Sequence, residues 1–202
     1  SKITDEESNS LDTMLTKGKV AFPLTDSWYI ASYYLANGGT MFGNDGLDND
    51  AGIKFGGDKG AAVTDYLVSL AANKNFVNDS QGVGLSGLRD GSVAALFSGS
   101  WDAASVKEIL GDNFGVRSLP TVKIGDKDLQ LKSFAGSKAI AVNPNCKYQQ
   151  VAVALAKYLG GKEAQLEHYK LRNVIPCNSE LLETDEIKND VLVSAQNDTF
   201  NK

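Results

Sequence analysis

Val20-Ala21-Phe22-Pro23-Leu24 runs into Thr25-Asp26-Ser27-Trp28-Tyr29, and Val93-Ala94-Ala95-Leu96-Phe97 runs into Ser98-Gly99-Ser100-Trp101-Asp102. Each is a short apolar run, then a polar turn, then a tryptophan. Short apolar runs bounded by turn formers read as buried strands. In open α/β sheets, ligands bind beyond the carboxyl ends of the strands. A flat ring there, beside hydroxyls and a carboxylate, suits a sugar: the C–H face of a pyranose stacks on the ring and its hydroxyls meet the polar groups. The alternative is that both indoles pack in the interior, where tryptophan is usually well buried. The repeated pattern favours a site.

Outward from these runs, strands and helices alternate. Residues 8–17 carry Leu11, Met14 and Leu15 at helical spacing, and Gly18 is a stop. Residues 28–36 read as a helix, and 40–57 as a loop rich in turn formers. Residues 58–73 form a clear amphipathic helix with Asp58 as its expected N-cap. A loop is expected over 76–81, a short helix over 85–90, a strand over 92–97 and a helix over 103–110. Gly125-Asp126-Lys127-Asp128 reads as a hairpin turn, and Ala139-Ile140-Ala141-Val142 as an apolar strand. Helices are expected over 148–159, 162–172 and 186–197. This alternation argues an α/β fold.

A net charge of −5 over 202 residues argues against a nucleic-acid partner, which needs clustered Lys and Arg. No apolar stretch approaches the ~20 residues of a membrane span. The opening Ser1-Lys2-Ile3-Thr4-Asp5-Glu6-Glu7 is polar and acidic, and reads as mid-protein sequence rather than a signal peptide. Cys146 and Cys177 are compatible with one disulfide, since they flank the helix pair over 148–172, but a single pair is not diagnostic. With a single histidine, His168, and no CxxC, no metal site is expected. No cofactor is expected either.

Gly82-Val83-Gly84-Leu85-Ser86-Gly87 matches G-x-G-x-x-G, but the polar stretch before it reads as loop, so the strand that the nucleotide fingerprint requires is not expected. The acids at 45, 48 and 50 lack the ligand order of a calcium loop. Asp26 and Asp102 could form a glycosidase pair, yet carboxylates that accept hydrogen bonds from sugar hydroxyls look the same, and binding is favoured over hydrolysis.

Gly18 through Trp28, Leu35-Ala36-Asn37-Gly38-Gly39, Gly91 through Trp101, Gly115 through Thr121, Phe134-Ala135-Gly136 and residues 152–175 together resemble the extracellular solute-binding proteins of ABC importers, in family order. The maltose/maltodextrin-binding branch is the nearest likeness. The resemblance implies a periplasmic-binding-protein-like (type II) α/β fold, of which this chain matches the later part only: an incomplete two-lobe architecture with half a cleft. It implies a second-lobe sugar-binding domain over 1–130, a crossing segment and returning first-lobe strand and helix pair over 131–178, and a second-lobe helix over 179–202. Asp26 matches an acid that bonds sugar hydroxyls; Trp28 and Trp101 match stacking aromatics. Ser27 and Tyr29 adjoin the first of these, and Gln81 falls where the family has a cleft-facing loop residue.

The implied function is non-enzymatic capture of a maltodextrin-type oligosaccharide outside the cell membrane, by a membrane-anchored or periplasmic receptor serving permease subunits. A different oligosaccharide or small solute, a hydrolase using Asp26 and Asp102, and a packing module without a ligand are the rival readings. Loss of a first-lobe partner surface would expose Ile140 and Val142 and promote self-association.

Overall fold

The computed structural model describes residues 3–134 and 136–202; Ser1 and Lys2 of the polar opening and Ala135 of the expected crossing segment lie outside the described residues. Helix α1 (Leu11–Lys17) begins at Ser10, whose hydroxyl accepts the Thr13 amide, and buries Leu11, Met14 and Leu15 at i, i+3 and i+4. Gly18 ends it where a side chain would run into the Cβ of Ala94, at 2.7 Å. Strand β1 (Val20–Phe22) follows, with all three residues buried. Helix α2 (Ser27–Ala36) comes next, then a small hairpin of β2 (Thr40–Met41) and β3 (Ile53–Lys54), then the long α3 (Gly57–Ala71). Strand β4 (Phe76–Asn78), α4 (Val83–Asp90), β5 (Ala95–Leu96) and α5 (Ala103–Leu110) complete the first layer set. A tight hairpin, β6 (Thr121–Ile124) with β7 (Lys127–Gln130), packs against α1 through Val122 and Ile124.

The sheet that positions everything else has the order β4-β1-β5, all parallel, with Val20 opposite both Phe76 and Ala95. Both faces of β1 are covered, each by its own core, which is why its sequence is apolar without alternation. Val20 and Phe22 point into a core shared with α1, Tyr33, Val63 and Leu70; Ala21 points the other way, to Leu88 and Val93. Phe22 gathers Phe76, Phe97 and Tyr33 around it at centroid distances of 5.0, 5.3 and 5.9 Å, an aromatic floor under the carboxyl edge of the sheet.

The remaining helices are α6 (Gln149–Leu159), α7 (Lys162–Arg172), α8 (Ser179–Leu182), α9 (Asp185–Lys188) and α10 (Val191–Phe200). Tyr169, Leu181, Ile187 and Val193 form a separate core, which spans position 178. Among the described residues, no helix is long and apolar enough to cross a membrane.

Several local expectations are corrected. Phe76–Asn78 is a strand, not loop; three residues in a polar stretch carry no pattern of their own, and pairing with β1 makes them a strand. The 40–57 loop contains the β2–β3 hairpin. The N-cap of α3 is Gly56, and Asp58 sits in the first turn. The strand expected over 92–97 is only Ala95–Leu96. The helix expected over 186–197 breaks at Asn189, because the Asp190 carboxylate caps α10 by accepting the Leu192 amide at 2.7 Å while also accepting the Tyr169 hydroxyl at 2.6 Å. Ala139-Ile140-Ala141-Val142 forms no strand among the described residues, and Ile140 is 47% exposed. Its composition suits a sheet, but a strand needs a neighbour to pair with. Cys146 and Cys177 are both free thiols.

Candidate functional site

Parallel alignment of β4, β1 and β5 puts their carboxyl ends on one edge, and three loops leave from it. Backbone bonds from Asp79 N to Phe22 O (3.0 Å) and from Phe97 N to Ala21 O (2.9 Å) hold the outer two loops to the central strand. Leu24 N donates to Asn78 Oδ1 at 2.9 Å, tying the first loop to the second. Asp26, Ser27, Trp28 and Tyr29 follow β1; Gln81 follows β4; Trp101 follows β5.

Asp26 is the N-cap of α2, its Oδ1 accepting the Trp28 amide at 2.9 Å. The cap fixes where the helix starts and so where Trp28 and Tyr29 project. Asp26→Ala is expected to destabilise the chain by about 1 kcal/mol, whereas Asp26→Asn, which caps as well, leaves stability within a few tenths. Thermal unfolding of the two variants checks this, and sugar titration of the asparagine variant isolates the role of the charge.

Trp28 is 45% exposed and leans on Phe134, with centroids 5.1 Å apart and the rings tilted by 44°. Trp101 is 60% exposed. The packing-module reading needs both rings buried, and neither is. Behind them lies a polar network. The Ser98 hydroxyl donates to Asp102 Oδ2 at 2.5 Å. Tyr29 is half-buried beside it; burial, then the charges of Asp102, Asp26 and Asp79, push its phenol above its ordinary pKa, while the neighbouring Ser98 side chain opposes the shift. Tyr29 therefore stays a neutral hydroxyl, able to donate or accept.

The structure thus brings Asp26, Trp28 and Tyr29 together with Ser98, Asp102 and Asp79. Ser27 is exposed on the first turn of α2. Gln81 is exposed with φ 63, and among the described residues its side chain joins no hydrogen bond of this network. Sequence reasoning missed Ser98, Asp79 and Phe134 as neighbours of the site. Phe134 had a signal, an aromatic inside a family-matching triplet, but Asp79 and Ser98 become neighbours of Tyr29 only once three strands align.

Contrary to the expectation from sequence, the G-x-G-x-x-G motif does have a strand before it, β4. The motif fails for another reason. Asp79 Oδ1 accepts the Gly84 amide at 2.8 Å, so a carboxylate already sits where a phosphate would bind. Two of its glycines serve packing: a side chain on Gly84 would meet Asp79 and Leu96, and one on Gly87 would meet Val93. In the acidic loop, Asp45 and Asp48 accept nearby amides, and among the described residues no group of acids, histidines or cysteines could hold a metal.

A cavity of about 40 Å³, lined by Trp28, Tyr29, Ser32, Phe97, Ser98 and Lys132, lies beneath the rim. It has room for a water or two and not for a sugar ring.

The family of bacterial extracellular solute-binding proteins matches residues 2–195. Among solved structures, the chain is similar to one described with acarbose, at 52% identity and a TM-score of 0.93, covering 99% of this chain and 53% of that one. It is also similar to the maltodextrin-binding protein MalE1 from L. casei BL23 without ligand, at 27% identity and a TM-score of 0.84, covering 96% and 52%. A curated relative, the galactooligosaccharide-binding protein of Bacillus subtilis (strain 168), is 28% identical over 157 residues, 74% of this chain and 36% of the relative. The chain spans about half the length of the solved relatives and about a third of the curated one. Its fold is periplasmic-binding-protein-like, with these relatives matching about half their own length. A match along nearly the whole sequence leaves no doubt about kinship: the chain belongs to the family of bacterial extracellular solute-binding proteins.

Proposed function

We propose that this chain carries one face of an oligosaccharide-binding cleft in a solute receptor of an ABC importer, with maltodextrin-type sugars as ligands. The carrying observation is the pair of half-exposed indoles, Trp28 and Trp101, at the carboxyl edge of one parallel sheet beside the Tyr29–Ser98–Asp102 network. Flat apolar faces with hydroxyl and carboxylate acceptors beside them match the two surfaces of a pyranose. The similarity to an acarbose-bound structure and to a maltodextrin-binding protein supports this sugar class. In this reading, Trp28 and Trp101 stack on successive rings, Asp26 and Asp102 accept sugar hydroxyls, and Tyr29 bonds either way. Ser27 and Gln81 are peripheral contacts. The working location is outside the cell membrane, the downstream partner is a membrane permease, and the chain itself tends to self-associate.

Binding without hydrolysis is the natural use of these acids. Asp26 and Asp102 both already act as acceptors, toward the Trp28 amide and the Ser98 hydroxyl. A glycosidase needs one of its pair as a proton donor. A second sugar class, galactooligosaccharides, is favoured by the curated relative.

The test is a titration of the ¹⁵N-labelled chain with maltotriose, a galactotriose and an amino acid, following both indole N–H resonances. Saturable shifts of both with maltotriose are expected. Stronger shifts with the galactose series reassign the sugar, and silence toward every saccharide overturns the reading.

A further inference from the structure

Trp101 is held over a residue that lacks a side chain. A Cβ built on Gly99 falls on Cζ3, Cη2 and Cε3 of the Trp101 ring, nearer than real Cβ atoms approach anything. The backbone of Gly99 is extended, with φ −115 and ψ −177, a conformation open to any residue. Conformational freedom therefore does not account for the glycine; the ring above it does. The six-membered half of the indole folds back two residues and fills the space that a Gly99 side chain would take, while the Trp101 side chain as a whole stays 60% exposed.

The main chain around this seat has little room to yield. Phe97 N donates to Ala21 O of the central strand at 2.9 Å, and Asp102 N donates to Gly99 O at 3.2 Å. The Ser98 hydroxyl closes the loop onto Asp102. With both flanks tied, a methyl group at position 99 must move the ring, and side-chain torsions move it in whole rotamer steps rather than small tilts.

We propose that Gly99 is a positioning residue: its missing side chain is the seat that sets the orientation of the Trp101 indole at the rim. The functional consequence rests on the carbohydrate reading above; the seat itself does not.

In the unsubstituted chain, nuclear Overhauser contacts are expected between the Gly99 α-protons and the Trp101 six-membered-ring protons, and their absence overturns the proposal. In a Trp28→Phe background, which leaves Trp101 as the sole indole, Gly99→Ala is expected to change the near-ultraviolet dichroism of that indole at least about twofold and to increase its quenching by acrylamide. Gly115→Ala is the control, because a side chain there meets nothing within 4 Å. Unchanged dichroism and quenching in Gly99→Ala overturn the seat. With both tryptophans present, Gly99→Ala is expected to weaken maltotriose binding by about the thirtyfold expected for Trp101→Ala. Full affinity with a displaced ring overturns the positioning role. If the ring moves as expected while no saccharide binds the unsubstituted chain, the seat stands and the carbohydrate reading falls.

Discussion

Replacing both indoles, Trp28→Ala with Trp101→Ala, is expected to abolish detectable maltotriose binding while leaving the chain folded. The affinity at the start is modest. Well-formed small-molecule sites bury most of their ligand's surface, whereas a sugar lying on rings that are 45% and 60% exposed keeps its outer face in water. Half-saturation in the millimolar range, about −4 kcal/mol, is the expectation for such a platform. One face of a tryptophan covers about 100 Å² of apolar surface, worth about 2 kcal/mol at the usual area coefficient. Each single replacement should thus cost about thirtyfold, and the pair about 4 kcal/mol, which consumes the whole binding free energy. Both rings are exposed, so folding stability should change far less than it would at a core position. Chemical-shift titration to tens of millimolar measures all four proteins. Micromolar binding by the unsubstituted chain would contradict the open-platform argument, and undiminished binding by the double variant would remove the indoles from the site.

The edge on which that platform stands could be read from sequence because its signals are local. Val20-Ala21-Phe22 is apolar throughout, the mark of a central strand. Trp28 follows a polar turn just past that strand, so its place at the edge is legible, whereas the cap that Asp26 makes for α2 appears only in the structure. Signals that depend on pairing were not legible. Phe76–Asn78 is a strand because β1 offers it a register, and Ala139-Ile140-Ala141-Val142 is not one, despite better composition, because nothing among the described residues pairs with it. The polar half of the site fails the same way. Ser98 and Asp102 are close in sequence, but Tyr29 and Asp79 come from the segments after two other strands, Tyr29 as far as 73 positions from Asp102, and only the parallel alignment of the strands brings them there. Gly99 shows a third kind of silence. A glycine in an extended stretch suggests flexibility, while its actual constraint is a ring two residues further on.

The chain is also expected to self-associate, through α6. Val151, Leu155 and Tyr158 lie on one face of α6, with Tyr148 at its N-cap three residues before Val151, and Tyr148, Val151, Leu155 and Tyr158 are 66%, 68%, 55% and 64% exposed. An amphipathic helix ordinarily turns such a stripe toward a core; here it faces outward. Beside it, an open groove of about 510 Å³ between α6 and α7 adds Leu171, 74% exposed, and is rimmed by Glu163 and Glu167. The segment with Ile140, which forms no strand among the described residues, adds further exposed apolar surface. Burying a large apolar side chain contributes about 1.5–3 kcal/mol. Four such residues from each of two copies exceed the lower estimates of association cost, about 4 kcal/mol, and approach the upper ones. Dimers or larger species are therefore expected at tens of micromolar, with a mass by light scattering above the 21.5 kDa of one chain. Val151→Glu with Leu155→Glu should restore the monomer without altering the helical signal, since both side chains already face solvent and glutamate is a good helix former. The two acidic substitutions lie on α6, away from the carboxyl edge of the sheet, so the weak maltotriose affinity should survive them. A monodisperse monomer of the unsubstituted chain across that concentration range would show that the stripe is tolerated in water and that α6 is no interface.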